Sequence, residues 1–481
     1  MTSTTYSRWL ALVVLCAGFL LIVVDMTIVN VALPSIGRDL RFTPSGLAWV
    51  VNAYLIAFAG LLLLSGRLGD LVGRKRVFLV GLGIFTAASV LCGLSFNQPM
   101  LIASRFVQGV GGAASSAVIL AMIVTLFPEP GERARAFGIF SVIASAGAAI
   151  GLLAGGFITQ AVSWHWIFFV NLPIGIITAL FAARLLEADP GIGIGEGADI
   201  LGAFLITAAL MLGVYTIVQS TASAPGSLTT LALAGVSIGL LGAFLWRQAV
   251  ARNPILPFRV FRIPNVAAAN LVQALMAAAF FAFFFVASLD MQRVLGFGPL
   301  TIGLAFLPVA VVMGALSFRF SATLVMRFGP LRVLLAGQAL IAVALLVLGF
   351  GPADTVYLRD MFTPLILLGL GGGLSFPALT MMAMAETSSD DAGLASGLLN
   401  TTGQVGGSLG LAVLATLSTA RTAQLLGMGQ GTASALSGGY HLAWLVGAGV
   451  TAATIILAVV FLRSAGTAAT GTEASEEEVA A

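Results

Sequence analysis

Eleven stretches of this 481-residue chain run for about 20 to 50 residues with almost no ionisable side chain, and that spacing dictates what the chain can fold into. A charged side chain at the centre of a bilayer costs about 3 kcal/mol or more, so long charge-free intervals mark membrane spans. Single crossings fit residues 9–33, 46–65, 265–289, 298–318, 333–353, 361–385, 394–420 and 441–462. Residues 77–128, 136–183 and 200–246 are each long enough for a helical hairpin. Their turns fall at Asn97-Gln98-Pro99, Ser163-Trp164-His165-Trp166 and Ala222-Ser223-Ala224-Pro225-Gly226. Of the Asp, Glu, Lys and Arg residues, only Asp25 and Arg105 fall inside these intervals. Eight single spans and three pairs make fourteen. Backbone groups in hydrocarbon must be satisfied within the segment, so the expected fold class is an all-α membrane protein with 14 transmembrane helices.

Composition excludes the alternatives. The chain is 59% hydrophobic and 9% charged, where soluble domains carry about a quarter charged residues, so a water-soluble enzyme is ruled out. Cys16 and Cys92 sit inside apolar runs, which argues against a disulfide or metal framework. The formal charge of +3 gives no basis for nucleic-acid binding. A membrane-embedded lipid-modifying enzyme needs clustered His, Asp or Glu at one face, and the two histidines, His165 and His441, are far apart in sequence. A signalling receptor needs a soluble effector domain, and none is expected from these segments.

An even number of crossings puts both termini on one side. Of the 22 basic residues, 16 fall in the termini and even-numbered loops, five in the other loops and one, Arg105, in a span, so both termini are expected to be cytoplasmic. Arg8 before an apolar run with Cys16 resembles a lipoprotein signal, but Val14-Leu15 lacks the small residue such a cysteine requires; an uncleaved first helix is expected. Residues 464–481, with Glu473, Glu476, Glu477 and Glu478, read as a disordered acidic tail.

The chain repeats itself. Gly138, Gly147 and Gly151 recur as Gly397, Gly406 and Gly410; Gly109, Gly111, Gly112 and Ser115 as Gly369, Gly371, Gly372 and Ser375; Gly73, Arg76, Val77 and Gly81 as Gly329, Arg332, Val333 and Gly337. Spans 1–6 are thus repeated as spans 9–14 in the same orientation, the pattern of parallel-repeat transporters. The expected organisation is a six-helix bundle at 1–190, two extra spans with linkers at 191–262, a second six-helix bundle at 263–463, and the tail.

Asp25 is the clearest carboxylate inside a span, about 12 Å of helix rise before the exit expected at Pro34. Arg105, six residues after Pro99 on a helix running the other way, lies about 9 Å from the same face, so the two are expected to meet. Such a pair serves either as a proton-coupling site or as a structural ion pair, and the residues alone leave both open. Gln108 and Asn30 are candidates for orienting the pair and lining a substrate cavity, or for ordinary interhelical contacts. Asp290, Arg293 and Glu386 read as solvated interfacial residues. The loop Gly66-Arg67-Leu68-Gly69-Asp70-Leu71-Val72-Gly73-Arg74-Lys75-Arg76 reads either as a conformational latch, with Asp70 capping a helix of the other bundle and Arg74 pairing with Glu129 or Glu132, or as a topology-setting basic loop. Gly147, Gly151, Gly155 and Gly156 on span 5 are expected to line one smooth packing face. Trp164-His165-Trp166 reads as an interfacial aromatic belt.

In this order the segments resemble the major facilitator superfamily, in its fourteen-helix drug:proton antiporter branch. Val24-Asp25-Met26-Thr27-Ile28-Val29-Asn30-Val31-Ala32-Leu33-Pro34 is similar to the branch's first-helix signature, the 66–77 loop to the helix 2–3 motif, and Arg105-Phe106-Val107-Gln108-Gly109-Val110-Gly111-Gly112 to the helix 4 motif. Trp164-His165-Trp166-Ile167-Phe168-Phe169-Val170-Asn171-Leu172-Pro173 is similar to the helix 6 entry. One position departs: the helix 5 motif has proline after Gly151, and here Leu152 stands there. The resemblance implies alternating-access export of amphipathic small molecules (drugs, antibiotics, dyes) in exchange for protons, with Asp25 and Arg105 coupling to protons and Gly66, Asp70, Gly73 and Arg74 forming the latch. A dedicated exporter of one metabolite is the alternative. It implies no cofactor and no metal. The implied partners are protons, a small-molecule substrate and the lipid bilayer, and the implied setting is a monomer in a bacterial cytoplasmic membrane.

Overall fold

The computed structural model describes residues 2–187, 190–191, 193, 197–219, 227–263, 265–352, 355–384 and 389–462. The acidic tail, the 222–226 turn and Glu386 lie outside the described residues. The helices are α1 (Thr2–Asp39), α2 (Pro44–Val72), α3 (Arg74–Gly93), α4 (Gln98–Leu126), α5 (Pro130–Ala161), the short α6 (Trp166–Phe169), α7 (Asn171–Leu185), α8 (Ile200–Gln219) and α9 (Leu228–Val250). They continue as α10 (Val266–Arg293), α11 (Pro299–Ala315), α12 (Ser321–Phe328), α13 (Pro330–Gly349), α14 (Phe362–Met384), α15 (Ser389–Gly427) and α16 (Thr432–Phe461). No strand occurs among the described residues. Among the described residues, twelve helices are long and apolar enough to cross a membrane, and α5 and α11 carry shorter apolar stretches, Ala149–Ala161 and Pro299–Ala315.

Helix starts follow their capping residues. Thr43 accepts from the Gly46 amide ahead of Pro44 in α2, and Asn97 accepts from the Met100 amide ahead of Pro99 in α4. Gly73, at φ 101°, makes the reversal between α2 and α3, and Gly329, at φ 83°, makes the equivalent one between α12 and α13.

The repeat recurs as packing. Gly81 seats α3 against Ala114 and Ser115 of α4, and Gly337 seats α13 against Leu374 and Ser375 of α14. Gly147 and Gly151 of α5 face Leu20 and Val24 of α1, as Gly406 and Gly410 of α15 face Ala274 and Ala278 of α10. Small residues let backbones approach where lipid supplies no hydrophobic drive between helices. One expectation is corrected: Gly155 continues the α1-facing row over Ile28, but Gly156, one residue further and so rotated about 100°, packs on Pro299 and Leu300 of α11.

The first helix also differs from expectation, running through Pro34 to Asp39 instead of ending there. Proline removes the hydrogen bond to the carbonyl four residues earlier. That carbonyl, on Asn30, accepts from Ser288 Oγ of α10 at 2.7 Å. Pro377 in α14 is accommodated likewise, with Ser317 Oγ donating to Gly373 O at 3.2 Å. The Trp164 indole is buried, donating to Asp39 at 2.8 Å, and so does not join the exposed Trp166 in an aromatic belt. His165 stacks on Trp164, and partial burial lowers its pKa from the usual 6.5.

First- and second-repeat helices meet at the face bearing the α1–α2 turn. Besides the Ser288–Asn30 bond, Gln160 Oε1 accepts from the Leu300 amide at 3.2 Å, and a single apolar cluster runs from Ile36 and Leu47 to Phe283, Leu289 and Ile302. α8 and α9 pack as a hairpin whose base is tied by Asp199: it accepts from the Gly202 amide (2.9 Å), Arg247 Nε (3.0 Å) and Gln248 Nε2 (2.7 Å). Burial alone would raise this carboxyl's pKa; the Gly202 amide, Arg247 and Gln248 outweigh it and hold the pKa below the usual 3.8.

Two outcomes test this packing. A Cβ at Gly111 would meet the α3 backbone at Phe85, whereas one at Gly83 meets open space. Gly111→Val is therefore expected to cost about 1–3 kcal/mol, seen as a lower unfolding midpoint in detergent, with Gly83→Ala close to wild type. Because the native pKa of Asp199 lies below the unfolded value, its stabilisation is present above pH 3.8 and lost as pH falls through the native value. The midpoint of the wild type should drop more steeply below pH 3.8 than that of Asp199→Asn.

Candidate functional site

α2 and α4 run side by side because Gly109 and Gly112 leave no Cβ between them: Gly109 lies against the Tyr54 carbonyl and Gly112 against the Tyr54 hydroxyl. One turn back on both helices, the same approach brings the Val50 carbonyl to Arg105 Nε at 3.0 Å. Gln108, three residues after Arg105 and so on the same face of α4, accepts from Arg105 Nη1 at 2.7 Å. Across from them, α1 presents Asp25. Its Oδ2 accepts from Arg105 Nη1 at 2.6 Å; its Oδ1 accepts from Gln108 Nε2 at 2.7 Å and Asn171 Nδ2 at 3.0 Å.

The cluster is sealed. Asp25, Gln108 and Asn171 are 0% exposed and Arg105 is 1% exposed. The Tyr54 ring lies 4.5 Å from the guanidinium carbon, giving the cation an aromatic face as well as a carboxylate. Asn171 Nδ2 also donates to Ser89 Oγ at 2.9 Å, and Ser89 donates to the Phe168 carbonyl at 2.9 Å. Cys92 Sγ donates to Gln108 Oε1 at 3.5 Å. Six helices, α1, α2, α3, α4, the short α6 and α7, thus supply one network. Moving an isolated ion from water to such an interior costs several kcal/mol, and the arrangement tolerates it through direct pairing and charge-assisted bonds. Chemically it holds one negative and one positive charge whose pairing a proton on the carboxylate would break.

Of the residues expected here, Asp25, Arg105 and Gln108 come together. Asn30 does not join them: its Nδ2 donates to Met26 O of its own helix at 3.2 Å. Asn171, Ser89 and Tyr54 were not anticipated. Asn171 stands in the 164–173 segment as a polar residue at the start of a span, and that was the signal available. Asp290 is buried at 5% exposure, not solvated at an interface, because α10 continues one turn past it.

In the α2–α3 loop, Arg74 donates to Asp70 at 3.1 Å and to Thr125 at 3.0 Å, not to Glu129 or Glu132; the latter pairs with Arg8 at 3.5 Å. Lys75, the single lysine of the chain, donates to the Ala183 and Leu186 carbonyls at 2.8 and 2.6 Å, tying the loop to the end of α7. Gly66 faces open space.

The sequence matches the Major Facilitator Superfamily over residues 15–411. The chain belongs to that superfamily. It is accordingly a multi-span membrane transporter of small molecules and not an enzyme. It is 37% identical over 419 residues to the cephamycin export protein of Amycolatopsis lactamdurans, covering 87% of this chain and 86% of that protein. It is 37% identical over 476 residues to the puromycin resistance protein of Streptomyces alboniger, covering 98% and 93%. In fold it is similar to a bacterial homologue of the human lysosomal transporter Spinster in an inward-facing, occupied conformation. That likeness has a TM-score of 0.66 and 16% identity, over 94% of this chain and 96% of that one.

Replacing Asn171 by leucine removes two buried hydrogen bonds and leaves Asp25 and Ser89 each one partner short. The expected cost is about 1–3 kcal/mol, read as a lower unfolding midpoint of the purified protein; a midpoint equal to wild type would separate Asn171 from the network.

Proposed function

We propose that this transporter exports amphipathic small molecules, antibiotics among them, in exchange for protons, with Asp25 as the coupling carboxylate. The observation that carries this reading is the sealed Asp25–Arg105 pair with its Gln108 and Asn171 bonds. The export and resistance names of the relatives support the substrate class. Counting α5, the broken α11–α12 helix and the α6–α7 pair as single crossings, the helices make fourteen spans. In this reading 1–190 and 263–463 are parallel six-helix bundles, with α8 and α9 the two extra spans. The bias of basic residues puts both termini on the cytoplasmic side of a bacterial inner membrane, so the α1–α2 face points outward and the halves close it. The protein acts as a monomer.

The mechanism follows from charge. Deprotonated Asp25 holds Arg105 and Gln108 on α1, fixing α1 against α4. A proton arriving from outside neutralises the carboxylate and weakens that tie, freeing the two bundles to rock against each other. Release of the proton inside restores the pairing as substrate binds. The α2–α3 loop, with Asp70, Arg74, Gly66 and Gly73, acts as the latch on the cytoplasmic face, and in the arrangement described Asp70 and Arg74 are paired with each other. A second reading, narrow selectivity for one metabolite, is favoured by relatives whose names each carry one antibiotic.

Everted vesicles with an imposed pH gradient provide the test. Dye or antibiotic uptake is expected to follow the gradient in wild type and to fall to background with Asp25→Asn; uptake indifferent to the gradient would remove the coupling. A panel of unrelated substrates separates broad from narrow export.

A further inference from the structure

α2 and α15, one from each copy of the repeat, pack against each other across the molecule. Leu63 faces Gly397, its Cδ2 3.0 Å from where a Cβ would stand, and Ile56 shares an apolar cluster with Val405, Leu409 and Ala412, so the two helices run antiparallel. Asn52 stands eleven residues before Leu63, and Ser408 eleven residues after Gly397. Eleven residues make about three turns, so each returns to the face of the Leu63–Gly397 contact and the two sit level with one another, about 12 Å along α2 from its start. Asn52 is 0% exposed and Ser408 1% exposed. Neither Asn52 Nδ2 and Oδ1 nor Ser408 Oγ has a hydrogen-bond partner in the protein, and Gln404, one turn from Ser408, leaves its Oε1 unpartnered as well.

Buried amides and hydroxyls are almost always bonded, and leaving one unbonded shifts a two-state equilibrium by about 5- to 150-fold. We propose that Asn52 and Ser408 form a polar hydration site in the α2–α15 seam, satisfied when the seam loosens and admits water, and that it thereby biases the two halves away from the arrangement described here. The other seam is fitted more closely at its glycines: on α5 and α11, Gly156 and Gly303 rest directly on the Pro299 and Leu152 carbonyls. The effect on export rests on the alternating-access reading above, whereas the effect on stability does not.

The test uses the full-length protein with Asn52→Leu and, as a milder variant, Ser408→Ala. Each removes polar atoms that the closed seam leaves unbonded, so each should raise the unfolding midpoint in detergent while slowing substrate efflux at least about fivefold, the low end of that range. A lower midpoint for both variants, or a higher midpoint with unaltered efflux, would overturn the proposal. A paired Asn52→Cys and Ser408→Cys variant should form a disulfide on oxidation and recover its original mobility on reduction; failure to cross-link refutes the register. The midpoint and cross-linking arms need no substrate, so they stand or fall separately from the export reading.

Discussion

A carboxylate and a guanidinium 2.6 Å apart, both closed off from solvent inside a helix bundle, impose conditions on everything around them. Neither charge is tolerable there alone, because effective desolvation costs several kcal/mol per ion and removing one partner strands the other. Three further groups meet hydrogen-bonding valences of the two ions. Val50 lends a backbone carbonyl, Gln108 bridges both ions, and Asn171 reaches in from α7. These donors and acceptors reach the pair only if α2, α3 and α4 approach closely, which the glycines at 81, 109, 111 and 112 permit. Those four glycines thus serve the ion pair as well as the packing of the helices.

The second half of the chain shows that the scaffold is separable from the chemistry. Its helices pack through equivalent glycines, and superposing the repeat by those contacts puts Ala279 where Asp25 stands and Leu365 and Leu368 where Arg105 and Gln108 stand. All three are buried in an apolar cluster. The backbone architecture therefore holds without the charges, and the charges in the first half are a burden that packing does not require. In the proposed exchange, that asymmetry is what a single coupling site in one of two mobile units looks like.

Much of this was legible in the sequence because membrane rules are strict. Charge spacing marked the chain as all-helical and membrane-spanning, the repeat was readable as glycine spacing, and depth arithmetic alone brought Asp25 level with Arg105. What escaped was rotation. Helix ends and depths are written in residue counts, but which side of a helix faces which neighbour depends on crossing angles. Asn30, five residues from Asp25, turned to its own helix, while Asn171, distant in sequence, arrived on α7. Gly156 likewise left the row of its neighbours for α11. Arg74 found Asp70 at i,i−4 and Thr125 before any glutamate, because local partners need no loop to move.

Pro34 stands inside α1 for a physical reason. A proline ends a helix where the carbonyl it frees has no other donor, and in sequence the donor cannot be seen. Here Ser288 of the second half supplies it. The Asn30 carbonyl therefore belongs to a contact between the halves and lies about one and a half turns from Asp25 on the same helix. In the proposed exchange, opening of the α1–α2 face withdraws Ser288, and water entering the gap can take its place at the carbonyl with little net change. On that reading α1 carries, within a short distance, both the group that a proton would neutralise and the hydrogen bond that parting the halves would break, so a change of charge at one has a rigid and direct route to the other.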